Sequence, residues 1–204
     1  MDRSSHWENV YQSKPTTEVS WFEADPTTSL SLIQSVAPRG GRIIDVGGGA
    51  SLLVDRLVAA RIWEVTILDV SATALRLVKV RLHEQANCVE WIQADITEVK
   101  QLGTYDIWHD RAVFHFLTAP EDRVAYLSRL RHALRPGGYA VFGTFAPQGP
   151  EKCSGLPVCR YDAQSLAEVL GVEYFLVHAL EHSHCTPTGK TQLFTFTVFQ
   201  KVQS

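Results

Sequence analysis

Long apolar runs are missing: nothing in the 204 residues approaches the length needed to cross a membrane, so no membrane partner is expected. The opening stretch, MDRSSHWENVYQ, lacks the apolar core of a signal peptide. Four cysteines (Cys88, Cys153, Cys159 and Cys185) are too few and too scattered for a disulfide scaffold, and reduced thiols in a cytoplasm are the expectation. An excess of positive charge is absent too. A formal net charge of −3 gives no broad phosphate-tracking surface, and no nucleic-acid partner is expected. There is no internal repeat and no low-complexity tract. What remains is an ordinary globular composition, 45% hydrophobic and 20% charged, long enough for one domain over residues 1–204 with a sizeable core.

The middle of the chain alternates two periodicities. Strands are expected at Arg42–Val46, Glu64–Asp69, Cys88–Ala94, Tyr105–His109 and Tyr139–Phe145, and helices at Ser51–Ala60, Ser71–Ala86 and Pro120–Leu134. Ser71 is a suitable N-cap, with Leu75, Val78 and Leu82 on one face of its helix. LRPGG (Leu134–Gly138) stops the third helix with proline and glycine. Such alternation builds right-handed βαβ units and a mostly parallel sheet with helices on both faces. The C-terminal part departs from it: VEYFLVHALEHSHC and TQLFTFTVFQKV, joined by TPTGK, read as an antiparallel hairpin added to that sheet. Ala146–Tyr161 is a Pro/Gly-rich loop long enough to be functional, a candidate lid, and Asp162 is placed to cap a short helix through Leu170. Residues 1–40, rich in aromatics, are expected to form one or two helices capping the sheet's edge or a site.

The stretch GRIIDVGGGASLLVDRL (Gly41–Leu57) carries the chemistry. A strand ends in Asp45, and three consecutive glycines lead into a helix N-terminus, a cradle for part of a nucleotide-like ligand. Gly47 and Gly49 permit backbone angles and a close approach that a side chain would block, although a tight βα turn can need glycine for geometry alone. The dinucleotide pattern would need a third glycine where Leu52 stands, and the phosphate-binding G-x-x-x-x-G-K-[ST] is absent. An acid beside the turn favours a cationic ligand over a pyrophosphate. Asp69 ends the second strand, where an acid commonly accepts from ribose hydroxyls; Asp95 follows the third and Asp110 the fourth. Any one of them could be a helix cap. Asp45, Asp69, Asp95 and the glycine turn together are harder to explain so.

These residues resemble the class I S-adenosylmethionine-dependent methyltransferases over nearly the full length of the chain. DVGGGAS stands where that family usually has D-x-G-x-G-x-G, with Ser51 in place of the last glycine; LRPGG and the reversed terminal hairpin are also similar. The N-terminal HWENVYQSKPTTEVSWFE looks like small members of the type 11, type 12 and thiopurine-methyltransferase-like groups. The resemblance implies a Rossmann-like, doubly wound seven-stranded sheet, S-adenosyl-L-methionine as cofactor and S-adenosyl-L-homocysteine as product. It implies further that Asp45, with Gly47, Gly48 and Gly49, serves the methionine end, that Asp69 takes the ribose, and that Val70, Asp95 and Ile96 surround the adenine. Trp7, Tyr11 and Trp21, with Phe22, are candidate lid aromatics over the cofactor.

Methyl transfer is an in-line displacement that needs alignment and exclusion of water, with a general base only for a protonated acceptor. Candidate catalytic residues lie in HDRAVFHF: His109, Asp110, Arg111 and His115, with Asp110 also a candidate cofactor contact and Phe114 and Phe116 as walls. Asp110-Arg111 resembles the D-R-G/A of the thiopurine-like and type 12 groups; an Asp–Arg pair that merely orders the loop is the competing reading. Cys153, Cys159, His182, His184 and Cys185 suit a soft ligand by chemistry, but C-x5-C and H-x-H-C are not structural zinc spacings, and no metal is assigned. A small-molecule acceptor is favoured. The alternatives kept open are a protein lysine methyltransferase, a nicotinamide-dependent oxidoreductase on the same kind of sheet, and a non-catalytic scaffold. The oligomeric state is not readable from the sequence.

Overall fold

In a computed structural model describing residues 2–203, the expected alternation is present. Met1 and Ser204, the ends of the expected 1–204 domain and, for Met1, of its 1–40 cap, lie outside the described residues. Strands β1 (Arg42–Val46), β2 (Glu64–Asp69), β3 (Val89–Gln93), β4 (Tyr105–Arg111), β5 (Leu134–Phe145), β6 (Tyr174–Cys185) and β7 (Thr191–Lys201) form one sheet in the order β3-β2-β1-β4-β5-β7-β6. The first five are parallel; β7 runs antiparallel to both β5 and β6.

Over β1, β2, β4 and β5 both faces of the sheet are apolar because both are covered, whereas the edge strand β6 is mostly exposed. Ile43, Ile67, Ile107 and Val141 face one layer, packed by α2 (Thr27–Val36), α3 (Leu53–Ala60) and α4 (Ala72–Leu82) through Ile33, Leu57 and Val78. Ile44, Leu68, Trp108 and Phe142 face the other, covered by α5 (Pro120–Ala133) and α6 (Ala163–Leu170) through Tyr126, Leu130 and Leu166. Connections leave β1 towards β2 on one side and β4 towards β5 on the other. The chain direction therefore opens a crevice at the carboxyl ends of β1 and β4. The N-terminal segment, with α1 (Arg3–Ser13) and α2, lies across that end.

Several boundaries differ from the sequence expectation for local reasons. The helix expected over Ser51–Ala60 begins at Leu53, because the Ser51 hydroxyl accepts from Leu53 N (3.1 Å) and holds the preceding turn. The helix expected to reach Ala86 ends at Leu82: His83 takes φ 51°, and a 3-10 turn continues to Cys88. LRPGG is not only a stop. Leu134 pairs with Tyr105, and the next paired residue, Tyr139, faces Ile107, so the Pro-Gly-Gly segment bulges out of β5. β4 runs two residues beyond the expected His109, to Arg111. Ser71 accepts from Ala74 N as the cap of α4, and Asp162 with Ser165 makes a capping box on α6.

Candidate active site

The crevice follows from three backbone features. Gly47 has φ 67° and Gly49 φ 49°. A Cβ at Gly47 would collide with the Val113 side chain, and one at Gly48 would come within 2.8 Å of an Asp45 carboxylate oxygen. Ala112, just after β4, also has positive φ (69°) and is held by Ala112 N donating to Gly143 O (2.8 Å). That turn swings Val113 over Gly47. The tight glycine bend is thus required by what lies against it.

Two adjoining hollows open there. The larger encloses about 770 Å³ including its open mouth. Asp69, Val70, Asp95 and Ile96 line its strand side; Trp7, Tyr11, Trp21 and Phe116 line its outer side. Asp45, Gly48 and His109 line the second hollow, and Tyr11, Trp21, Gly47 and Arg111 are common to both. Gly49 lies under Tyr11, whose hydroxyl packs on it, and beside Asp69. Most of the candidate cofactor and lid residues therefore converge, together with Arg111 and His109.

Electrostatics set the character of the pocket. Asp69 is buried and accepts from Ser71 N (2.8 Å); burial, with a smaller push from the Asp45 charge, raises its pKa to about 6. Asp45 is buried and receives His109 Nδ1 at 2.7 Å, while His109 Nε2 meets the Ser29 hydroxyl at 2.9 Å. Asp95 accepts from Thr97 and is paired with Arg3 at 2.9 Å. Arg3 also reaches Asp122 (3.0 Å) and so fastens the start of α1 across the far end of the crevice. Glu8 pins the middle of α1: its carboxylate accepts from Ser71 Oγ (2.7 Å) and from Thr73 Oγ1 and N, and these bonds lower its pKa to about 2. Trp7 meets Trp21 and Phe116 edge to face, completing an aromatic roof.

Two candidate catalytic residues are placed elsewhere. Asp110 points to the opposite face of β4, fully buried under α5, accepting from Val113 N, Phe114 N and Tyr126 Oη. Tyr126 in turn accepts from Trp108 Nε1 (2.8 Å). Asp110 is thus a loop-ordering and core group and lines neither hollow. It orders the loop through backbone N–H groups and makes no Arg111 pair. His115 is buried between Phe116 and Phe145 and accepts from Phe145 N; burial holds its pKa near 3, so it is neutral and outside the lining. Phe114 packs on the opposite face, against Tyr126 in the core under α5.

The soft-ligand candidates do not gather. Cys153 is buried in the larger hollow's wall, 4.0 Å from Ser20 Oγ. His184 Nε2 donates to Ser20 O (2.8 Å), His182 faces Thr28, and Cys185 is exposed. Among the described residues no three His, Cys, Asp or Glu are placed to hold a metal. Arg3, Glu8, Glu23 and Ser29 are participants that sequence reasoning did not single out. Their partners lie on distant elements, and no local pattern marks them.

Residues 44–140 match the family model described as a methyltransferase domain. The chain is 26% identical over 172 residues to a ubiquinone biosynthesis O-methyltransferase of Aromatoleum aromaticum, covering 83% of this chain and 64% of that protein. It is 36% identical over 119 residues to an uncharacterised methyltransferase of Mycobacterium tuberculosis, covering 56% of each. It thus spans less than two thirds of the length of these curated relatives. Among solved structures, the N-methyltransferase NodS of Bradyrhizobium japonicum, in complex with S-adenosyl-L-homocysteine, is similar in fold. Its TM-score is 0.74 at 16% identity, covering 98% of this chain and 99% of that one.

Proposed function

We propose that the chain is a class I S-adenosylmethionine-dependent methyltransferase of the type 11/type 12 group, and that it transfers a methyl group from that cofactor to a small molecule. The observation that carries the reading is the pair of buried acids, Asp45 and Asp69, beside a bend that leaves no room for a Cβ. Two neighbouring carboxylates repel an anion and favour a cation, and the residues present fit a sulfonium nucleoside with an ammonium tail. Asp69 accepts from the ribose hydroxyls, and Val70, Asp95 and Ile96 hold the adenine. Asp45, fixed by His109, with the backbone of Gly47, Gly48 and Gly49, receives the amino-acid end.

The cofactor, when bound, supplies an electrophilic methyl on a positively charged sulfur. The chain's own part is alignment and exclusion of water. Trp7, Tyr11, Trp21 and Phe116 roof the reacting centre, and residues 2–40 act as its cap, held by Arg3 and Glu8. Ala146–Tyr161 contributes Cys153 to the wall; its closure on binding belongs to the same proposal. Neither His115 nor Asp110 lines the hollows, and both ring nitrogens of His109 are engaged, by Asp45 and Ser29, so the reading is an acceptor whose lone pair is already available. The relatives named for ubiquinone biosynthesis support a small acceptor over a lysine side chain on a protein. The lack of a third glycine and the acid at the turn speak against a nicotinamide cofactor. A working place in the cytoplasm and the lack of a nucleic-acid partner belong to the same proposal, supported by the net charge of −3.

The test is incubation with methyl-labelled S-adenosylmethionine and cell extract divided into small-molecule and protein fractions. Label in the small-molecule fraction is expected; label confined to protein bands would overturn the choice of acceptor.

A further inference from the structure

Asp45, His109 and Ser29 stand in one buried line on the wall of the second hollow. Asp45 on β1 and His109 on β4 face each other across the parallel pair, so the sheet's alternation points both side chains to the side covered by α2. There His109 Nδ1 donates to Asp45 Oδ1 (2.7 Å), and Nε2 meets the hydroxyl of Ser29, in the first turn of α2, at 2.9 Å. A carboxylate accepts, so Nδ1 is the donor of that bond, and the hydroxyl, which donates or accepts, completes the ring's other nitrogen. The second carboxylate oxygen, Oδ2, is turned to the glycine bend, where a Cβ on Gly48 would lie 2.8 Å from it. The other charged side chains lining this hollow, Glu23 and Arg111, pair with each other at 3.0 Å.

An aspartate, a histidine and a serine in this order also activate serine nucleophiles. Ser29 is only 1% exposed, so the line presents no nucleophile; what it does is aim Asp45. Its two ends belong to different parts of the molecule, Asp45 to the sheet and Ser29 to the segment that covers the crevice. A ring held at both nitrogens has one orientation. With the hydroxyl gone, a buried nitrogen has no partner and the ring is free to turn away from Asp45. The aim of the carboxylate therefore depends on α2 being seated. By linkage, a cation bound to that carboxylate tightens the seating of α2 by the same factor.

We propose that Ser29 is a positioning residue for the cofactor's ammonium: through His109 it sets Asp45, and so makes the seating of α2 and the capture of the amino group cooperative. This rests on the methyltransferase reading. The probes are S-adenosylhomocysteine and its deaminated analogue, with hydrogen in place of the amino group, titrated by calorimetry into wild type, S29A and S29T. S29C, which keeps the side chain's shape with a weaker donor, replaces S29A if that variant does not fold. Hydrogen exchange over residues 27–36 of the wild type, with each ligand at saturation, reads the coupling from the other end.

S29A is expected to bind S-adenosylhomocysteine about tenfold more weakly, with less than about a twofold change for the deaminated analogue. S29T, which keeps the hydroxyl, stays close to wild type. S-adenosylhomocysteine slows exchange over residues 27–36 more than the analogue does. Equal losses for the two ligands, no loss for either, or equal slowing of exchange overturn the proposal. Wild type that binds the analogue as tightly as S-adenosylhomocysteine also overturns it and leaves the methyltransferase reading standing. Wild type that binds neither nucleoside overturns that reading instead.

Discussion

Replacing Asp69 with asparagine separates what this residue does for the fold from what it does for the ligand. Burial moves its pKa from an ordinary 3.8 to about 6. Between those values the folded carboxyl still holds a proton that the unfolded chain has released, so its contribution to stability falls as pH rises through that window. The difference corresponds to about 3 kcal/mol at most, present as a penalty above pH 6. The asparagine amide keeps an acceptor for Ser71 N without the charge. At about 2–4 °C per kcal/mol for a chain of this size, D69N raises the melting temperature of ligand-free protein at pH 7.5 by up to about 10 °C. At pH 4 the two proteins melt alike. Calorimetry with S-adenosylhomocysteine shows the opposite cost, an affinity lower by about 10–100-fold for the lost charge-assisted bonds. A D69N protein that melts below wild type at pH 7.5 and binds the ligand equally well would refute the reasoning.

Gly47→Ala places a Cβ into Val113 at a left-handed φ, and is expected to cost about 1–3 kcal/mol in denaturant unfolding and to remove nucleoside binding. Asp110→Ala strands the donors of Val113, Phe114 and Tyr126 and is expected to destabilise by about 3 kcal/mol or more; a wild-type melting curve with lost methyl transfer would instead make it catalytic. Glu8→Gln loosens α1 from the start of α4, with a cost of about 1 kcal/mol and faster hydrogen exchange over residues 3–13, read by mass spectrometry. His115→Asn leaves the pH dependence of transfer unchanged between pH 5 and 8, since the native histidine stays neutral there; disappearance of a rate limb near pH 6.5 would show it to be the base.

The strand ends, the glycine bend and the roof aromatics were legible because each is a local pattern: an apolar run stopping at an acid, missing side chains, tryptophans on a capping segment. Asp110 was not. Neighbours on a strand point to opposite faces, so once His109 and Arg111 turn towards the crevice, Asp110 must turn away; the clue was the period of two. Its partner Tyr126, sixteen residues on, leaves no mark in HDRAVFHF. The fastening of α1 was equally hidden. Glu8 meets the cap of α4, and Arg3 meets Asp95 and Asp122, across separations that only the folded chain closes.

The most direct measurement is calorimetry of wild-type protein titrated in parallel with S-adenosylhomocysteine and NADH. Saturable one-to-one uptake of the first and none of the second is the predicted result. Uptake of NADH with no heat from S-adenosylhomocysteine would contradict the assignment of the paired acids and the glycine bend to a sulfonium nucleoside.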